Sequence, residues 1–268
     1  MAQISFTDLV NGVVPDASDF NTRLNALKNR INNGMESDNI AALAVGTPAL
    51  QNDAVTLAKL ADGTLGGLLY YGTAGAPTEL AGNTTTTKKY LTQTGNGSAS
   101  AAPAWSSLAA SDLPAGSVIQ MVNTQTGAFA SSASTIPNSD AIPQNTQGVE
   151  VMTRSITPSA TTNKLRIDVV VYASEETDGG NVACVALFQD STANALAAGR
   201  AHMDSGVTTY GPIPIVFTHY MDAGTTSATT FKVRAGMDAG TININGTAGA
   251  RKLGGVMASS ITITEIKV

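Results

Sequence analysis

The stretch from Thr64 to Gly116 constrains this chain more than any other. Its apolar residues come as short clusters, Leu68-Leu69-Tyr70-Tyr71 and Tyr90-Leu91, each followed by a Gly-containing turn in a background of Gly, Ala, Ser and Thr. No helical period runs through it, and its few apolar side chains cannot bury a core of their own. Such a segment is either a flexible linker or is ordered by apolar partners on further copies of the same chain. The second alternative is the expectation, with something folded at each end.

Before it, residues 1–15 alternate apolar and polar positions, with Ile4, Phe6, Leu9 and Val10 among the sticky ones. The segment is too short to fold alone. It is either a frayed terminus or a plug that orders on docking to another protein. Pro15-Asp16 then signals a helix start: Asp16 or Ser18 can cap, and Asp19 falls in the first turn, where the helix dipole favours an anion. Phe20, Leu24, Leu27 and Ile31 follow at spacings that make one narrow seam, with Asn, Arg and Lys around it and Gly34 as the stop. So narrow a seam suits a short coiled coil better than a globular core, the alternative being an amphipathic helix lying on the chain's own body. A helix of this length is marginal alone in water, and the seam is too short to give an oligomer number.

Residues 37–63 break and restart around Gly46, Pro48 and Gly63. Asn52-Asp53-Ala54-Val55-Thr56 followed by Leu57-Ala58-Lys59-Leu60-Ala61-Asp62-Gly63 resembles a phrase that recurs in bacteriophage tail-fibre proteins. Its two apolar teeth, Leu57 and Leu60, need neighbours to bury them. Tyr-Leu, a Gly-rich turn, then Ala104-Trp105 and Leu108 likewise resemble the shaft modules of phage fibres, in which short strands from three chains wrap one axis. Trp105 after Pro103 is the one large side chain able to anchor a turn there; a stacking platform for a sugar is its alternative role.

From Ser117 to Val268 the alternation becomes regular. Strands are predicted over 118–123, 148–156, 164–173, 182–189, 196–203, 213–221, 229–235, 241–244 and 260–266, separated by turns such as Asp178-Gly179-Gly180, Asp222-Ala223-Gly224 and Asn245-Gly246. Many short strands without a helical stretch mean an antiparallel β-sandwich, a jelly roll by preference. Ile142–Gly148, Ile156-Thr157-Pro158, Ala186–Asp190 and Ser259–Ile266 resemble a C-terminal domain of phage structural and tail-fibre proteins. That resemblance implies a trimeric head similar to the tumour-necrosis-factor or C1q sandwich; strand counting alone does not give the trimer.

Chemistry is sparse. His202 and His219, the two histidines, lie on separate predicted strands without metal-ligand spacing. Glu175-Glu176-Thr177-Asp178 is an acidic cluster in a predicted loop, lacking the frame of a calcium site. Gly63–Gly67 and Gly95–Gly97 lack the lysine and strand–loop–helix context of a phosphate loop. Cys184, the lone cysteine, sits in a strand interior and reads as a small buried hydrophobe. No catalytic, metal or cofactor site is expected, and the chain reads as a non-enzyme. A net charge of -5 disfavours a nucleic-acid partner, and no run approaches the roughly 18 apolar residues of a membrane span.

Together these features give a mostly β chain in three parts. Residues 1–35 form a docking segment and short trimeric coiled coil, 36–116 an extended intertwined shaft, and 117–268 a β-sandwich trimer head. The expected function is that of a virion component: a homotrimeric fibre docked by its N-terminus on a tail, neck or capsid protein, its head adhering to a bacterial surface glycan or protein. The absence of a recognisable export signal at the N-terminus fits assembly in a host cytoplasm and release by lysis. A head fibre, capsid decoration or collar fibre with a structural role is the alternative. Receptor-facing residues are expected in the head loops, at Glu175, Glu176, Asp178, Tyr210 and Arg251.

Overall fold

The computed structural model describes residues 16–32, 63–176, 179–203 and 211–268. The docking positions Ile4, Phe6, Leu9 and Val10, the teeth Leu57 and Leu60, and the loop residues Asp178 and Tyr210 lie outside the described residues. The described residues fall into two units: those up to Thr87 together with Leu91–Trp105, and Lys88–Tyr90 together with Ser106–Val268.

In the first unit, local signals are obeyed. Helix α1 (Ala17–Asn32) starts where Asp16 caps it: the Ser18 amide donates to Asp16 Oδ1 at 2.9 Å, and the Phe20 amide to the Asp16 carbonyl at 3.1 Å. Phe20, Leu24 and Leu27 are 60%, 51% and 40% exposed, so among the described residues nothing covers the seam. Ile31 is in α1, but its side chain lies outside what is described. Strands β1 (Leu68–Tyr71) and β2 (Pro77–Leu80) pair antiparallel across a turn closed by the Gly72 amide on the Ala76 carbonyl. Thr64 donates its amide and hydroxyl to Glu79, and these bonds hold the Glu79 carboxyl below its ordinary range. Strands β3 (Tyr90–Thr92) and β4 (Ala104–Ser106) form a second ribbon, and the Trp105 indole donates to the Ala81 carbonyl at 2.8 Å. The short apolar clusters therefore make hairpins within one chain. They still leave Leu65, Leu69, Tyr71 and Leu91 exposed.

The second unit is an antiparallel sandwich whose strands are β5 (Val118–Thr126), β6 (Ala130–Ser132), β7 (Val149–Ile156), β8 (Lys164–Glu175), β9 (Val182–Gln189), β10 (Ala197–His202), β11 (Ile213–Asp222), β12 (Thr229–Met237), β13 (Ile242–Ile244), β14 (Gly246–Thr247), β15 (Ala250–Arg251) and β16 (Ser259–Ile266). One sheet has the order β10-β9-β12-β7. In the other, β8 pairs with β11 on one side and with β16 and β13 on the other; β16 and β13 pair in turn with β5 and β6. Successive long strands mostly pass between sheets and neighbours are mostly non-consecutive, which is jelly-roll connectivity. The nine predicted strands are all present with ends shifted by a few residues. The additions are β6, β14 and β15, each too short to carry a periodic signal. Residues 111–117 also belong with the sandwich: Lys267 Nζ donates to the Ser111 carbonyl at 2.7 Å and to that of Leu113, and the Gly116 amide to the Lys267 carbonyl at 2.8 Å.

Alternation decides what is buried. Leu165, Ile167, Leu187, Phe231, Ile261 and Ile263 project between the sheets into the main core. Strand β9 reads VACVALFQ and is buried on both faces. Its outer residues Val182, Cys184, Ala186 and Phe188 join Ile136 in a second cluster. Ile136 belongs to the β6–β7 connection, which is pressed onto the sheet: its amide donates to the Met237 carbonyl at 3.0 Å. Close approach requires glycine at Gly148 (φ +63), where a Cβ would meet the Ala235 carbonyl at 2.7 Å and Ile136 Cδ1 at 2.8 Å.

Candidate functional site

The sandwich residues singled out in the sequence do not converge on one place. Glu175, expected to face a receptor, ends β8 with only 5% exposure. It pairs with Ile242, a core residue, and so points into the sandwich end, where the Asn181 side-chain amide donates to its carboxylate. Strand parity, invisible when the residue is read as part of a loop, is the reason. Glu176 stays exposed and accepts from the Asn243 side-chain amide, while Arg251 is exposed on β15.

The histidines lie on strands of different sheets, and burial lowers the pKa of His219. Among the described residues no group of three or more His, Cys, Asp or Glu is placed to hold a metal ion. Cys184 is buried; burial, with the Asp238 charge adding to it, pushes its thiol up against the opposing influence of Arg200. A thiolate is the reactive form. Cys184 is therefore expected to resist an aromatic disulfide reagent in the folded protein and to react fully in denaturant. Rapid labelling without denaturant would show that the second cluster opens.

A buried carboxylate closes one end of the sandwich. Glu265 lies on β16 in the parity of Ile261 and Ile263 and is fully buried. It accepts from Gln120 Nε2 at 2.7 Å, the Ser159 amide at 2.8 Å, the Ser159 hydroxyl at 2.7 Å and Asn163 Nδ2 at 2.6 Å. Burial works to raise its pKa, but the bonds from Gln120, Asn163 and Ser159 outweigh it and hold the carboxyl below its ordinary value. These donors belong to β5 and the β7–β8 connection, so the role of Glu265 is to lock that end.

What the fold does assemble is a polar cleft of about 280 Å³ on the outer face of the β10-β9-β12-β7 sheet. Its lining is Asn145, Glu150, Phe188, Asp190, Ser191, Lys232 and Arg234. Lys232 lies opposite Phe188, and Arg234 between Ala186 and Glu150, all on the face turned away from the main core. The walls are fixed. The Asn145 amide donates to the Ala193 carbonyl at 2.8 Å, and its side chain to Ser191 and Thr192 carbonyls. Asp190 accepts from the Thr230 amide at 2.8 Å and the Thr229 hydroxyl at 2.9 Å. Arg234 Nε and Nη2 each donate at 2.7 Å, to the Gln147 and Gly148 carbonyls. No motif in the sequence singles these residues out. The signal present is local: Phe-Lys-Val-Arg-Ala and Val-Glu-Val put Lys232, Arg234 and Glu150 on outward positions of predicted strands.

No protein-family model matches the chain, and no curated protein matches it. Among solved structures, it overlaps Eiger TNF from S. frugiperda at a TM-score of 0.32 and 11% identity, over 55% of this chain and 92% of that one. It overlaps dimeric latent PorU from Porphyromonas gingivalis at a TM-score of 0.28 and 10% identity, over 57% of this chain and 14% of that one. The VP2 subviral particle of infectious bursal disease virus overlaps it at 0.23 and 13% identity, over 56% of this chain and 38% of that one. Likeness this loose assigns the chain to no family and no activity.

Proposed function

We propose that the chain is a homotrimeric fibre protein of a bacteriophage virion. Its N-terminal segment docks on the particle, and its sandwich adheres to a bacterial surface as the head of a receptor-binding tail fibre. The observation that carries this reading is the bare apolar seam of Phe20, Leu24 and Leu27 on α1. Water-exposed side chains of this size in one stripe are worth covering, and further copies of the same helix cover them with the same stripe. The sandwich has its own uncovered apolar positions. Met121, Val216 and Tyr220 are exposed on the outer face of the sheet centred on β8, with Tyr220, Arg166, Thr264 and Met121 in one cross-strand row. Three such heads on one stem turn weak single contacts into avid adhesion.

Light scattering is expected to give three times the 27.3 kDa of one chain. A single 27.3 kDa species in dilute buffer overturns the fibre. Electron microscopy of particles separates tail from head: density for this protein on the capsid shell sinks the tail-fibre assignment. Leu24→Asp combined with Leu27→Asp is expected to loosen the N-terminal end while the heads stay associated through contacts of their own. Monomers in light scattering of that variant would show that the helix alone holds the assembly.

A further inference from the structure

The cleft between β7, β12 and the turn after β9 is built like a binding site, and two of its four charges, those of Lys232 and Glu150, are not spent among the described residues. The Lys232 and Glu150 side chains make no hydrogen bond or ion pair among the described residues. Arg234 sits directly opposite Glu150 in the ladder, yet turns its guanidinium to the Gln147 and Gly148 carbonyls instead. A cross-strand Arg–Glu pair left apart, beside a free ammonium group, is an arrangement that an added ligand completes.

The lining excludes most ligand classes. Phe188 forms the floor but is only 1% exposed, so the cleft has no aromatic platform to offer. Glu150 and Asp190 repel a multiply charged phosphate or nucleic-acid backbone. The two carboxylates face two cations, which disfavours a bare metal ion. The volume, at the lower end of small-molecule sites, suits one compact unit. What remains is a hydroxyl-rich ligand with a single negative charge: an anion for Lys232, with hydroxyls that donate to Glu150 and exchange hydrogen bonds with Ser191 and Asn145.

We infer that this cleft binds an acidic monosaccharide unit, a hexuronic acid residue being the simplest, within a bacterial surface polysaccharide. The choice of a polysaccharide as carrier rests on the proposed adhesion role; the chemistry of the cleft does not. The strands of the sheet carrying it turn no exposed large apolar side chain outward, although Ile142, three residues before Asn145 in the β6–β7 connection, is exposed; assembly through the opposite sheet leaves the cleft open.

The test uses the full chain and two readouts. In saturation-transfer NMR, methyl glucuronide is expected to receive magnetisation and methyl glucoside to bind roughly tenfold more weakly, the loss of one charge-assisted contact. Lys232→Ala should weaken glucuronide by a similar factor, and Glu150→Gln should weaken both sugars. Neither side chain holds another part of the chain, so both variants should melt as the parent does. Absence of transfer to glucuronide, equal binding of the two sugars, or indifference to Lys232→Ala overturns the inference. In the second readout, beads of polyglucuronic acid should retain the parent protein and release the Lys232→Ala variant, whereas neutral glucan beads retain neither. Glucuronide binding in NMR without retention on the polymer supports the cleft and counts against multivalent adhesion. Retention that survives Lys232→Ala supports adhesion and sinks the cleft as its site.

Discussion

Phe231→Ala is expected to destabilise the sandwich by about 3–5 kcal/mol, more than any other single substitution proposed for this chain. Phe231 has no exposed surface and lies on β12, the strand flanked by both β7 and β9, where it faces the main core. Truncation removes the transfer energy of the ring and leaves a cavity that paired strands on both sides cannot close. Domains of this size have about 5–15 kcal/mol in total, so the variant should sit near the edge of folding. The measurement is the urea midpoint at fixed protein concentration, because any association of copies would be linked to folding. Val216→Ala, on an exposed position of β11, is the contrasting variant: in the isolated chain it should shift stability by no more than about 0.5 kcal/mol. A Phe231→Ala shift below about 1 kcal/mol would place the ring outside the core.

Glu265→Gln is expected to cost about 3 kcal/mol, although it changes one atom type. The amide brings N–H groups into a site already filled by donors from Gln120, Ser159 and Asn163, and it removes the charge that strengthens their bonds. The cost should depend on pH. The folded carboxyl titrates below its ordinary value of 4.5, so the folded state binds fewer protons than the unfolded state as acid is added. Its stabilising contribution is complete above about 4.5 and is lost as pH falls through the lower folded value. The stability gap between parent and variant should thus be widest near neutrality and narrow toward about pH 3. A gap that stays constant through that range would mean that folding does not shift the Glu265 pKa, and one that widens toward acid would mean that the carboxyl is protonated in the fold.

Several features are legible in the sequence alone. The cap at Asp16, the stripe of Phe20, Leu24 and Leu27, and the nine predicted strands follow from spacing and turn signals, and the strand ends differ by only a few residues from those predicted. Glu265 shows where such reading stops. Ile261-Thr262-Ile263-Thr264 gives the parity, and continuing it one step puts a carboxylate in the core. Only the donors brought from residues 120, 159 and 163 make that position tolerable. Glu175 misleads in the opposite sense: beside Glu176 and Asp178 it looks like a solvated loop, yet β8 extends far enough to carry it inward. The clusters of the Gly-rich stretch form hairpins within one chain, where strands contributed by several copies were expected.

By itself, the order of residues determined which segments extend, which coil, and which side of each strand seeks oil. These are consequences of neighbours two, three or four positions apart, and they need no partner. Which strands lie side by side was decided only by tertiary structure, because pairing depends on closing loops between distant segments and on how the two sheets fill their common interior. The cleft belongs to that second category: Asn145, Glu150, Asp190 and Lys232 come from different segments of the chain and meet only because β7, β12 and β9 are adjacent in one sheet.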